Sequence, residues 1–141
     1  FAENQFLISN PLQLAGAVGI AAWAVTVRRN TGWHRRLMFF AFAMLTGPGI
    51  GRLLPSPLLI PYAWYIEAVL PPLVFAGIGM MADKRRYGAV HPAWAWGIAI
   101  VIGIQVAADL FAYSDAGIAF TQHVLAGTAG AQRSMEAFFP I

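Results

Sequence analysis

Three ionisable side chains, Arg52, Glu67 and Asp109, fall inside the long apolar runs of this chain, and Gln105 lies one helical turn before Asp109. An arginine set between two carboxylates can fork its guanidinium into paired, charge-assisted hydrogen bonds. An amide four residues before one of the acids shares its helix face and can join them. In apolar surroundings such a layer has two readings. It is an ion-pair network that fixes helix order, or a pocket for an ion, a proton, a quinone or a lipid headgroup. His34 and His91 carry a second chemistry, because neutral imidazole ligates haem iron or the magnesium of a pigment. Both flank apolar runs instead of lying within them. Hydrogen bonding to loop carbonyls or lipid phosphate therefore competes with a cofactor role. His123 falls in the polar tail as a surface residue. Without cysteine there is no disulfide, thiolate metal site or cysteine nucleophile. No phosphate-binding glycine loop, HExxH pattern or Ser/His/Asp spacing is present, so no catalytic or metal-ligating residue is assigned and the chain reads as a non-enzyme.

The elements that must position these residues are hydrophobic helices. The 141 residues are 59% hydrophobic and 11% charged, against about a quarter charged in a soluble domain, so the expected solvent is lipid. Four runs stand out: Pro11 to Val27, Leu37 to Leu54, Tyr62 to Ala82 and Ala93 to Tyr113. The shortest, at about 1.5 Å per residue, reaches roughly 26 Å, enough for a hydrocarbon core. Pro11, Pro61 and Pro92 suit first helical turns, and Pro55-Ser56-Pro57 stops the second run. None shows the period-two alternation of a barrel strand. The expectation is an all-α, four-helix transmembrane bundle over residues 1–113, followed by an outer tail over 114–141.

Orientation follows from the loops. Arg28, Arg29, Arg35 and Arg36 lie between the first and second runs, and Lys84, Arg85 and Arg86 between the third and fourth. Short Lys/Arg-rich loops stay on the cytoplasmic side, which places the N- and C-termini outside. The pI of 9.8 falls in the range of nucleic-acid binders, but the net charge is only +3 and flanks the membrane runs, so nucleic acid is not expected as a partner. Counted from the inner ends, Arg52, Glu67 and Asp109 share a depth of about 22–24 Å. Pro48, Pro71 and Pro72 break the backbone in the same outer layer, and Gly47-Pro48-Gly49-Ile50-Gly51 leaves the second helix bendable. Tyr62, Trp64, Tyr65 and Tyr113 mark outer ends, and Trp33, Tyr87, Trp94 and Trp96 mark inner ends; Trp23, one turn inside the first run, is the exception. In the tail, Ile118, Phe120, Val124 and Leu125 fit one face of a short interfacial helix, with Phe138 and Phe139 as a further anchor. The chain begins with Phe1 and not with an initiator Met, which leaves room for helices upstream.

Two stretches carry a resemblance. Trp33-His34-Arg35-Arg36-Leu37-Met38, continuing to Gly51-Arg52-Leu53-Leu54-Pro55, resembles the H-K/R-R-L-M…A-I-x-R-L-P helix of a group of uncharacterised bacterial integral membrane proteins. Arg85-Arg86-Tyr87-Gly88-Ala89-Val90-His91-Pro92-Ala93, with Trp96-Gly97, resembles their G-R-V-H-P-A-T-x-W-G segment. The likeness spans about residues 33–113 and departs at Gly49, where alanine is usual. It implies motif positions for His34, Arg52 and His91 and a bacterial inner-membrane location, and it names no reaction.

Small size and small-residue faces lead to a non-enzymatic membrane subunit or scaffold. Its expected partners are the lipid bilayer and other membrane subunits or a second copy, with an electron-transfer or photosynthetic complex as a candidate setting. Two alternatives stand beside it. One is a protein binding haem, pigment or quinone; the other is a small transporter or channel built on the Arg52, Glu67 and Asp109 layer.

Overall fold

The computed structural model describes residues 4–54, 59 and 62–132, and over these the chain is helical with no strand. Helix α1 (Asn4–Thr26) starts earlier than the sequence suggests, with Pro11 inside it and not at its first turn. The missing Pro11 N–H leaves the Leu7 carbonyl without its α-helical donor, one lost bond near a helix start. A short turn follows, and Asn30 caps α2 (Thr31–Met44) by accepting from the Trp33 N–H.

The second apolar run is not one helix. It divides into α2 and α3 (Gly47–Leu53). Pro48 cannot donate to the Met44 carbonyl. The chain instead tightens, with the Leu45 and Thr46 N–H groups donating three residues back to Phe42 and Ala43. A second interruption precedes α4 (Leu70–Tyr87), where Tyr65–Val69 forms one π-helical turn closed by the Leu70 N–H on the Tyr65 carbonyl. Pro71 and Pro72 follow at once. With no N–H on either proline, the ordinary i→i−4 ladder cannot continue through Glu67 and Ala68, and the wider turn absorbs the mismatch.

Gly88, at φ 74°, ends α4 in a left-handed C-cap. The His91 ring then caps α5 (Pro92–Ala112), with Nδ1 accepting from the Ala93 N–H at 3.2 Å. Ser114 caps α6 (Asp115–Leu125) through the Gly117 N–H, and a 3-10 turn covers Ala129–Gln132.

Three helical segments are long and apolar enough to cross a membrane: Phe6–Thr26, Tyr65–Tyr87 and Pro92–Ala112. Helix α1 packs mainly on α2 and α5, while α2, α4 and α5 also touch one another. Their shared core contains Ile20, Ala24, Leu37, Phe40, Ala76, Trp94 and Val101. Only 22–28% of each span is buried, so Leu14, Val18, Val74, Ile78, Val106 and Leu110 face outward.

The tail forms a short helix that packs on the bundle through its small residues. Gly117 and Thr121 are buried against the bundle, while Phe120 and Val124 are exposed. A β-carbon on Gly117 would lie only 1.8 Å from the Phe111 carbonyl oxygen, so the close approach of α6 to the end of α5 selects glycine there. The residues Pro55, Ser56, Pro57 and Pro61, and the tail anchors Phe138 and Phe139, lie outside the described residues.

Candidate functional site

Two polar clusters sit toward opposite ends of the helices, separated by about 17 Å along α5 between Trp94 and Gln105. At the end bearing the basic loops, Arg36 from the first turns of α2 meets Asp83 from the last turns of α4. The pair is bidentate, with Nε donating to Oδ2 at 2.6 Å and Nη2 to Oδ1 at 2.5 Å. Arg36 is 6% exposed and Asp83 7%. Trp94 on α5 donates its indole N–H to the same Asp83 Oδ2 at 2.8 Å. The His91 backbone N–H approaches that oxygen at 3.4 Å, and Arg36 Nη1 donates to the Gly32 carbonyl at 2.8 Å. One carboxylate therefore ties α2, α4 and α5 together. Trp94 can reach it because Gly79 leaves room: a β-carbon on Gly79 would stand 2.3 Å from the indole.

Around this pair lies an aromatic and basic shell. Arg35 donates to the Tyr87 hydroxyl at 2.7 Å, and the guanidiniums of Arg35, Arg36 and Arg86 all lie 5.6–5.8 Å from the Tyr87 ring centre. Trp23, the tryptophan out of place for an interfacial belt, packs on Trp33 and Trp96. Trp33 in turn meets the His91 ring edge-to-face at 5.3 Å. Burial pushes the His91 imidazole below its ordinary value; Arg36 and Arg35 add to this, and Asp83 works in the opposite direction.

The second cluster is centred on Gln105, which is 5% exposed. Its Nε2 donates to Asp109 Oδ1 at 2.8 Å and to Ser9 Oγ at 3.2 Å. Its Oε1 accepts from the Trp64 indole at 3.2 Å and from Gln13 Nε2 at 3.4 Å. Tyr65 donates its hydroxyl to Asp109 Oδ2 at 3.0 Å. An indole is a donor only, which fixes which end of the Gln105 amide faces Trp64. The rest of the network follows from that assignment, and Gln13 Oε1 is left buried with no hydrogen-bond partner among the described residues. Gln13 also lines a cavity of about 400 Å³ shared by Phe6, Pro48, Gly51, Trp64 and Glu67. Gly47 and Gly51 admit the π-helical turn closely. A β-carbon on Gly47 would lie 3.0 Å from the Glu67 carbonyl oxygen, and one on Gly51 would lie 2.6 Å from Glu67 Oε2. The small-xxx-small face of α3 is therefore filled within the chain.

The residues singled out in the sequence are only partly brought together. Gln105 and Asp109 bond directly, and Glu67 sits at the same level against α3. Arg52 does not fork between Glu67 and Asp109. Its side chain is exposed, and the single ion pair among the described residues is Arg36 with Asp83. The reason is rotational: Gly51, not Arg52, occupies the side of α3 that meets Glu67. The histidines are engaged separately, His34 through Nδ1 on the Ala24 carbonyl at 2.7 Å and His91 as the α5 cap. Arg28, Arg29, Lys84 and Arg85 are exposed, whereas Arg36, expected only as an orientation charge, is the buried partner of Asp83.

Sequence reasoning missed Asp83, Trp94, Ser9 and Gln13. Asp83 precedes three basic residues and reads as part of a solvated loop. A signal was available in α1, since Ser9 and Gln13 stand four apart, the same spacing as Gln105 and Asp109. Comparison with protein-family models, curated proteins and solved structures finds no match for this chain.

Proposed function

We propose that the chain is a non-enzymatic accessory subunit or scaffold of a membrane complex, crossing the bilayer four times with the basic loops on the cytoplasmic side of a bacterial inner membrane. The division of polar and apolar surface carries this reading: the polar groups in the interior lock helices to one another, while the outer apolar faces of the spans remain uncovered. A fourth crossing by α2 and α3 together is supported by their pairing with the Tyr65–Tyr87 segment. Arg36 meets Asp83 at one end and Gly51 meets Glu67 at the other, fifteen residues apart on one side and sixteen on the other. The seven basic residues of the two loops then face inward.

Native-gel migration and chemical crosslinking of membranes solubilised in mild detergent test this reading. Co-migration with a larger assembly, with crosslinks on the Val74/Ile78 or Val106/Leu110 faces, is the expected result. A lone monomer at every detergent mildness would count against it.

A second reading, a quinone-type cofactor protein, is favoured by one observation. The cavity of about 400 Å³ beside Gln13 falls in the size range of ligand sites and contains a buried acceptor that no donor among the described residues meets. A hydroxylated head such as a quinol supplies that donor. Saturable quenching of tryptophan fluorescence by a short-chain quinol, lost in Gln13→Leu, would favour it; a water in the cavity and no quenching would remove it.

A further inference from the structure

The end of the molecule around Tyr87 carries more positive charge and more hydrogen-bond donors than its own acids absorb. Three guanidiniums, Arg35, Arg36 and Arg86, gather on one aromatic ring, and the single carboxylate among them, Asp83, is bidentate to Arg36. Arg35 and Arg86 are exposed, and neither is paired with a carboxylate among the described residues. The Tyr87 hydroxyl accepts from Arg35, and its own O–H donates to no acceptor among the described residues. A cleft of about 430 Å³ opens beside these donors, and its wall continues along Phe39, Ile78 and Trp94. A second cleft, of about 440 Å³, shares Arg35, Arg36 and Tyr87 and extends toward Val90 and Pro92.

A cationic, donor-rich head that runs into an apolar groove matches a molecule with an anionic head and an apolar body. We propose that Arg35, Arg86 and Tyr87 form a binding site for the phosphodiester headgroup of an anionic phospholipid, with an acyl chain lying along Phe39, Ile78 and Trp94. Planar guanidiniums bind phosphate oxygens through paired N–H bonds, and the tyrosine hydroxyl donates a further one. The Arg36–Asp83 pair does not bind the lipid in this arrangement; it holds the α2 and α4 ends at the spacing the headgroup needs. The site rests on the membrane-spanning reading but not on the subunit role.

Native mass spectrometry of the full chain released from micelles doped with equal dioleoyl phosphatidylglycerol and dioleoyl phosphatidylcholine tests the assignment. The wild type is expected to retain phosphatidylglycerol in preference to phosphatidylcholine. Arg35→Gln/Arg86→Gln should weaken that retention roughly tenfold or more, since each arginine near an anionic surface contributes on the order of a few-fold. Tyr87→Phe should weaken it by a smaller factor. Arg28→Gln/Arg29→Gln removes the same charge from exposed residues outside both clefts and should leave retention unchanged. Equal loss in both double variants would overturn the site in favour of diffuse charge. Equal retention of the two lipids would also overturn it, and release of bound lipid by millimolar inorganic phosphate would reassign the site to free phosphate. No lipid of either kind on a folded protein would strike at the membrane reading itself.

Discussion

Neutralising Asp83 is the sharpest test of how the helices are held. In Asp83→Asn the side chain keeps its shape and one acceptor for Trp94, but the carboxylate charge and half of the bidentate bond to Arg36 are lost. Arg36 is then 6% exposed with its charge uncompensated, held by the Gly32 carbonyl and one amide oxygen. Removing one partner of a buried ion pair costs about 3–5 kcal/mol, because the surviving charge stays desolvated. The pair lies at helix ends and Arg36 keeps two neutral hydrogen-bond acceptors, so the lower end applies, about 3 kcal/mol. Asp83→Ala also strips the indole of its acceptor and should cost about 1 kcal/mol more. Replacing both charges, in Arg36→Leu/Asp83→Leu, leaves no stranded charge and should recover most of the loss, as apolar replacements of buried pairs are often close to neutral. Reversible unfolding in bicelles, followed by steric trapping or by titration with sodium dodecyl sulfate, gives the four corners of the cycle. Strictly additive single and double variants, or an Asp83→Asn protein within about 0.5 kcal/mol of wild type, would refute the picture of one carboxylate binding three helices.

Gly79→Leu drives a side chain into the space held by the Trp94 indole; a loss of about 1–3 kcal/mol is expected, with a shifted tryptophan emission maximum as the check. Gln105→Leu removes the group that Trp64, Asp109, Ser9 and Gln13 share and should destabilise by about 2–3 kcal/mol, whereas Arg52→Gln at an exposed position should stay within about 0.5 kcal/mol in the same unfolding assay. His91 should titrate below the ordinary imidazole value near 6.5, because burial and then the charge of Arg36 disfavour its protonated form. The unfolded chain then binds the proton more tightly than the folded one. This contribution to stability is complete above about pH 6.5 and declines as pH falls toward the folded value. Nitrogen-15 histidine spectra read the titration directly, and His91→Asn, which keeps a capping side chain, should flatten the pH dependence of unfolding.

The helical class, the approximate run boundaries and the level shared by Glu67, Gln105 and Asp109 were legible because they depend on quantities that sequence carries: apolar run length, proline position and rise per residue. What was not legible depends on rotation about the helix axis. Arg52 and Gly51 share a depth to within one residue, yet adjacent residues on a helix point about 100° apart, and only Gly51 meets Glu67. Asp83 was hidden for a similar reason. Its basic neighbours Lys84, Arg85 and Arg86 are exposed, whereas its true partner lies forty-seven residues away on another helix. In the tail helix, the buried contact is made by the small residues Gly117 and Thr121, which hydrophobicity alone does not single out. Trp64 and Tyr65, which the sequence places at an outer end, both direct their polar atoms at α5, a choice of direction that hydropathy does not carry.

The π-helical turn over Tyr65–Val69 sets a phase offset within a single span. It places one more residue in a turn than an α-helix would, so everything before Tyr65 is rotated by about 100° relative to a straight continuation of α4. That offset lets Ala76 and Asp83 face the helices at one end while Trp64 and Tyr65 address Gln105 and Asp109 at the other. Hydropathy is blind to it. Deleting Ile66 alone would leave a span of nearly the same length and apolarity, yet it would swing the two aromatic donors off the α5 network. The frame of this membrane segment is therefore counted to the residue, and a chain of equal hydrophobicity with one residue fewer would be a different wiring of the same helices.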